Sequence, residues 1–131
     1  MSTIFSKIIS WEINSYKIYE DEYVFAFLDT TPHSLWHTLL IPKKEVDYFV
    51  DLPEPDYSHL FQVAKKVAKA IHIATWCKRV WTVIAWRDVP HMHYHLIPMH
   101  HYDDLDHSKR HKESEEDMHA VQEKIINLLN S

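Results

Sequence analysis

Not one of the 131 residues is glycine. Average usage near ~7% would supply about nine. Turns and helix ends that need a left-handed backbone must therefore use Asn, Asp or a residue that carries a steric cost there. Cysteine is almost absent too. Cys77 stands alone, which excludes an intramolecular disulfide and a multi-cysteine zinc site and fits a reducing cytosol. It is expected as a small buried hydrophobe. No apolar run reaches the ~18 residues of a membrane span. The start, Met1 to Lys7, lacks the apolar stretch of a secretion signal. Basic charge is not in excess either: 14 Lys and Arg against 19 Asp and Glu leave −5 with His neutral, which argues against general nucleic-acid affinity. Together these absences point to a cytoplasmic protein that takes neither membrane nor nucleic acid as a partner.

What is present fits one soluble domain over residues 1–131, with 46% hydrophobic and 25% charged residues. Thr3 to Ile9 reads as a short amphipathic turn or helix, with Ile4, Ile8 and Ile9 on one side. Ser15 to Tyr19 and Glu22 to Leu28 read as strands, the second apolar on both faces as a central strand would be. His37 to Ile41 is a third strand, stopped by Pro42, and 45–50 fits one helical turn. The main helix opens after Pro53-Glu54-Pro55, with Asp56 or Ser58 as its N-cap. It carries Leu60, Val63, Ala64, Val67, Ala68 and Ile71 inward, and Lys65, Lys66 and Lys69 outward. Two more strands follow over 79–85 and 91–98. Ser114 to Asp117 resembles a capping box and starts a C-terminal helix that turns Met118, Val121, Ile125 and Leu128 or Leu129 inward. Strands before and after one helix suggest an α+β fold, a mainly antiparallel sheet of about five strands.

The most informative stretch is His91-Met92-His93-Tyr94-His95. Side chains alternate across a strand, so the three His share one face while Met92, Tyr94 and Leu96 share the other. One face thus offers three groups that titrate near neutral pH and can move protons, attack phosphorus or bind a metal.

Several segments together resemble the histidine triad family: 3–9, Glu22-Tyr-Val-Phe-Ala-Phe-Leu-Asp29, His37-Thr-Leu-Leu-Ile-Pro-Lys-Lys44 and His91-Met-His-Tyr-His-Leu-Ile-Pro98. The resemblance covers about 3–98. It implies a small nucleotide hydrolase or transferase acting at the α-phosphate of a nucleoside phosphoramidate or dinucleoside polyphosphate, without cofactor or metal. By their places in the motif, His93 would be the nucleophile that forms a nucleotidyl-histidine. His95 would contact phosphate and protonate the leaving group, His91 would support the site, and His37 would orient the nucleophile. Asp29 would hold ribose hydroxyls. Phe27 and Leu28 would line the base pocket of a purine nucleotide, and Arg87 and Val89 would lie in the phosphate-contacting stretch. Such proteins usually pair as homodimers by joining sheets.

Two departures stand out. The stretch before the triad, often Gly-Gln-Ser-Val in the family, is Trp86-Arg87-Asp88-Val89-Pro90. Ser6 stands where zinc-carrying members have a cysteine, so no structural zinc is expected. Moreover, all five tryptophans, Trp11, Trp36, Trp76, Trp81 and Trp86, fall where glycine would look natural. A source that decodes UGA as glycine, with the codon rendered here as tryptophan, is one route to this pattern; deliberate glycine removal is the other. Trp36 and Trp86 would then crowd the phosphate pocket, leaving a nucleotide-binding module with little turnover. Two His of the triad strand, with a third ligand elsewhere, would also suit a metal site. The run His100, His101, Asp103, Asp104, Asp106, His107 and His111 is a solvated loop by this reading, since it has no fixed ligand spacing.

Overall fold

A computed structural model describes residues 3–30, 32, 35–85, 89–100 and 111–131. The element order is α1 (Ile4–Ile9), β1 (Lys17–Glu20), β2 (Val24–Leu28), β3 (Thr38–Pro42), α2 (Asp56–Thr75), β4 (Arg79–Ala85), β5 (His93–Met99) and α3 (Glu115–Leu129), with a 3-10 turn at Phe49–Asp51 between β3 and α2. The strands form one sheet in the order β1-β2-β3-β5-β4, every neighbouring pair antiparallel. This is the α+β architecture expected from the sequence.

The alternation of side chains divides the sheet into two unlike faces. Val24, Ala26 and Leu28 of β2, Leu40 of β3 and Met92, Tyr94 and Leu96 meet the apolar stripes of α2 and α3 in the main core. Residues one step out of phase, Phe25, Phe27, Leu39 and Ile41, form a second cluster with Phe5 and Ile8 of α1. All five residues of β2 are buried, as a strand apolar on both faces requires. Its Val24, Phe25, Phe27 and Leu28 side chains each contribute about 1.5–3 kcal/mol by leaving water. A twenty-residue helix seals one face, whereas α1 has only six residues. The histidine end of the second face is therefore left for chemistry.

Local signals explain most boundaries. The side chain of Ser114 accepts from Asp117 N–H, capping α3, which buries Met118, Val121, Ile125 and Leu129. Helix α2 buries Leu60, Val63, Ala64, Val67, Ala70 and Ile71. Ala70 takes the place expected for Ala68, because the stripe drifts around the helix by the mismatch between 3.6 and whole residues. Pro55 holds the N-cap position and Asp56 is already helical, without the expected side-chain cap. The β1–β2 turn is closed by Asp21, whose Oδ1 accepts from the amides of Tyr23 and Val24 at 2.8 and 3.0 Å. Its Oδ2 accepts from the Tyr19 hydroxyl at 2.7 Å and lies 2.5 Å from His59 Nε2, tying the turn to α2.

Three expectations change. In α1 it is Phe5 and Ile8 that are buried, while Ile4 is 48% exposed; a helix this short buries one narrow stripe. The helical turn placed at 45–50 is a 3-10 turn shifted to Phe49–Asp51. The triad strand begins at His93 rather than His91, because backbone pairing with β4 runs from Ala85↔His93.

Among the described residues, the non-glycine residues at positive φ are Trp11 (φ 67°) and Trp76 (φ 56°). Trp76 terminates α2 in left-handed conformation, its N–H donating to the His72 carbonyl. That is the helix-end geometry glycine normally supplies, and a bulky residue costs roughly 1–2 kcal/mol there. The glycine reading of these two sites thus gains a backbone reason. Trp81 lies within β4, and neither it nor Trp36 has positive φ. Trp86 lies outside the described residues.

Candidate active site

Strand β5 is the pivot. His95 pairs with Leu39 on one side and Val83 on the other, and Leu39 pairs with Phe27. A row therefore crosses the sheet on the second face: Phe27, Leu39, His95, Val83. His93, two residues back, stands opposite Ala85. The His93 and His95 rings are 5.1 Å apart, and the Phe5 ring lies 4.9 Å from His93 and 5.8 Å from His91. The three histidines do share a face, but not a depth. His91 is fully buried, His93 is 5% exposed and His95 is half-buried.

Hydrogen bonds fix the tautomers. A carbonyl oxygen only accepts, so the 2.8 Å contact from His93 Nδ1 to the His91 carbonyl places the His93 proton on Nδ1. The ring's lone pair is then on Nε2. His91 Nε2 is likewise 2.8 Å from the Pro42 carbonyl and must donate to it. Its Nδ1 accepts from the Thr3 hydroxyl at 3.0 Å. Burial pushes the His91 pKa down, outweighing the Pro42 carbonyl and the Glu45 charge, which raise it. His91 is thus a neutral, doubly held ring rather than a reactive one.

His37 is fully buried and brings Nε2 within 2.8 Å of His95 Nδ1. Asp29 Oδ2 lies 3.7 Å from the same His37 nitrogen, and Asp29 N–H donates to the His37 carbonyl at 3.0 Å. Asp29, His37 and His95 thus form a line that ends at the His95 ring, 5.1 Å from that of His93.

The other expected residues separate. Phe27 belongs to the second cluster, on the triad's side, and Val89 packs against that cluster while its carbonyl accepts from His91 N–H. Leu28 is fully buried in the main core on the opposite face, so period-two alternation removes it from any pocket lining shared with Phe27. Trp36 also packs against the main core, turned from the triad, so the expectation that it crowds the phosphate pocket is corrected. Arg87 and Trp86 lie outside the described residues, as do His101, Asp103, Asp104, Asp106 and His107 of the polar run. Of that run, His100 is exposed and His111 is hydrogen-bonded to Glu113. Sequence reasoning missed Phe5, Thr3, Val83 and Ala85 as neighbours of the triad. The β4–β5 register was the one signal that could have found the last two.

A five-stranded antiparallel sheet with a His-x-His-x-His run at the head of an inner strand, backed by a buried histidine just before β3 and a buried acid just after β2, defines a class. The chain belongs to the HIT family: the model described as HIT domain matches residues 10–102. Among relatives, adenosine 5'-monophosphoramidase HNT1 of Saccharomyces cerevisiae is 40% identical over 96 residues, covering 72% of this chain and 61% of that protein. An uncharacterised HIT-like protein of Methanocaldococcus jannaschii is 35% identical over 108 residues, 76% of this chain and 81% of its own length. Among solved structures, a Hit-like protein of Bartonella henselae involved in cell-cycle regulation superposes with a TM-score of 0.85 at 28% identity, over 97% of this chain and 96% of that one. A Zn-bound histidine triad family protein of Mycobacterium smegmatis gives 0.83 at 25% identity, over 99% and 94%.

Whether this chain could hold a metal turns on its own donors. Among the described residues, Asp29, His37 and His95 each bring one ligand atom within 4.8 Å of the others. The sequence suggested two His of the triad strand with a third ligand elsewhere; this group takes one triad residue, His95, with His37 and Asp29. An N, N, O set suits zinc. The His37 and His95 nitrogens nearest each other are already within hydrogen-bond distance, so an ion there would displace the hydrogen bond between the rings.

No helix among the described residues is long and apolar enough to cross a membrane.

Proposed function

We propose that this chain is a nucleotide hydrolase or transferase that works at the α-phosphate of a nucleoside phosphoramidate or dinucleoside polyphosphate through a covalent intermediate on His93. One observation carries the reading: the His93 Nδ1–H bond to the His91 carbonyl, which directs the lone pair of Nε2 away from the backbone. Nε2 attacks phosphorus, forming a P–N bond as the bond from phosphorus to the leaving amine or phosphate oxygen breaks. The leaving group takes a proton from Nε2 of His95, which carries it there when His37 Nε2–H donates to His95 Nδ1. Water, giving its proton back to Nε2 of His95, then attacks phosphorus, the P–N bond breaks and its electrons return to His93, releasing a nucleoside monophosphate. Asp29 serves the ribose hydroxyls, Phe27 and Val89 border the nucleotide, and Arg87 and His91 complete the set, Arg87 toward phosphate and His91 as support. The substrate is a purine nucleotide, consistent with relatives named adenosine 5'-monophosphoramidase.

The test uses adenosine phosphoramidate. His93→Asn keeps a side-chain amide near the position of Nδ1 but removes the nucleophile. It should lower turnover by roughly three orders of magnitude or more while AMP binding persists. Unchanged turnover would refute the covalent mechanism. A metal at Asp29, His37 and His95 is the second reading, favoured by their convergence. Stoichiometric zinc that is required for activity would establish it in place of the metal-free route.

We further infer a homodimer. Strand β4 is a sheet edge, and apolar groups stand exposed on it and beside its approach, Val83 at 45%, Ile73 at 57% and Trp76 at 87%. A second copy added edge to edge would cover both the open edge and these side chains.

A further inference from the structure

Of the Asp21–His59–Tyr19 cluster, the open edge at β4 and the contacts of α1, the last reaches the reacting groups. Helix α1 begins at Thr3, whose hydroxyl accepts from Ser6 N–H at 3.1 Å. The same hydroxyl gives its proton to His91 Nδ1 at 3.0 Å. Glu45, beyond the end of β3, accepts from Thr3 N–H at 3.0 Å and from the Ser6 hydroxyl at 2.6 Å through one oxygen, Oε1. The protons account for themselves. Thr3 spends its hydroxyl proton on His91 and Ser6 spends its own on Glu45. The remaining 3.3 Å contact between the two hydroxyls has no hydrogen to share.

This network ends one bond from the nucleophile. His91 is held at both ring nitrogens, by Thr3 and by the Pro42 carbonyl. Its backbone is held by His91 N–H to Val89 O at 2.7 Å and Met92 N–H to Val46 O at 2.6 Å. A residue clamped at ring and backbone cannot swing its carbonyl, and that carbonyl is the acceptor that sets the His93 tautomer.

We propose that Thr3 and Glu45 are positioning residues for the reaction: Glu45 fixes Thr3, Thr3 fixes the His91 ring, and the His91 carbonyl thereby holds His93 with Nε2 as the attacking atom. The inference rests on the reading of His93 as nucleophile. It assigns the N-terminal helix a task in the chemistry besides covering Phe25 and Phe27. Both residues act through His91, and neither touches the nucleotide.

Two measurements test it, one of which needs no turnover. Thr3→Val is nearly isosteric and deletes only the hydroxyl; Thr3→Ser restores it. With adenosine phosphoramidate, Thr3→Val should lower kcat about tenfold or more, with KM changing far less, and Thr3→Ser should recover most of the loss. In ring-nitrogen NMR, His93 should move from the pure Nδ1–H form toward a tautomer mixture in Thr3→Val and return in Thr3→Ser. Glu45→Gln, at an exposed position that spares folding, should shift both readouts in the same direction by a smaller factor. The proposal is overturned if the His93 tautomer and kcat stay at wild-type values in Thr3→Val and Glu45→Gln, or if Thr3→Ser fails to restore them. If His93→Asn retained full turnover while Thr3→Val still shifted the His93 tautomer, the covalent reading alone would fall.

Discussion

His37 Nε2 lies 2.8 Å from Nδ1 of His95, a contact between rings 58 residues apart in sequence. One of the two nitrogens must donate, and the other must accept. The tautomer of the fully buried His37 and that of His95 are therefore coupled.

Removing that partner should be felt twice. His37→Ala leaves His95 Nδ1 without this partner and opens a cavity, so chemical denaturation should show a loss of about 2–3 kcal/mol. It should also lower kcat by roughly 10- to 100-fold, because His95 loses its preferred proton position. His37→Gln, which keeps a donor near the same place, should recover part of both. Equal kcat in wild type and His37→Ala would remove His37 from the relay.

Acid should weaken the fold earlier than carboxylate protonation alone would. The His91 pKa is pushed below its ordinary 6.5, chiefly by burial. The unfolded chain then binds more protons than the folded one below that value. This contribution is full above about pH 6.5 and is lost as the pH falls through the depressed folded value. Between about pH 7.5 and 5.5, one such group removes at most ~1.4 kcal/mol. Urea unfolding at the two pH values should show a shallower dependence in His91→Gln than in wild type; identical slopes would show that His91 titrates alike in both states.

Trp76→Gly should stabilise the protein. Relief of the left-handed conformation is worth ~1–2 kcal/mol, offset by ~0.5–1 of extra unfolded-state freedom, for a net gain of about 1. The indole is 87% exposed, so little packing is lost. Trp11 also has positive φ, but its ring carries Lys17 Nζ at 5.2 Å and the edge of Phe25 at 6.2 Å. Those contacts are worth ~0.5–1 kcal/mol each, so Trp11→Gly should be near neutral. Thermal melts check both, and a lower melting temperature for Trp76→Gly would contradict the backbone argument. The gene itself settles the origin, since five UGG codons in the native source would exclude the UGA route.

The dimer has its own check. Val83→Glu together with Ile73→Glu would bring like charges onto a self-complementary interface. Sedimentation equilibrium should then find a monomer where the wild type sediments as a dimer. A monomeric wild type would end that proposal.

Much of this is legible in the residues alone. A run apolar on both faces locates β2, the alternation of His91, His93 and His95 with Met92, Tyr94 and Leu96 locates β5, and the 3.6-residue stripes locate α2 and α3, because burial leaves a local pattern. Ser114 and Asp117 announced the start of α3 for the same reason. Phe27 and Leu28, by contrast, stand together in the motif, yet adjacent residues on a strand face apart and they fall in different clusters. A motif taken as one segment merges two faces that the sheet separates.

The residues themselves determined that three imidazoles would leave one strand together, that Met92, Tyr94 and Leu96 would oppose them, and that glycine-free helix ends would force bulky residues into left-handed backbone. Those consequences follow from chain stereochemistry, which is local. Tertiary structure decided which histidine is sealed, which ring nitrogen of His91 and His93 holds the proton, and that Glu45 reaches Thr3 and Thr3 reaches His91 from distant positions. Such outcomes depend on which carbonyl or hydroxyl the fold carries to within 3 Å of a ring nitrogen, a distance that no spacing along the chain encodes.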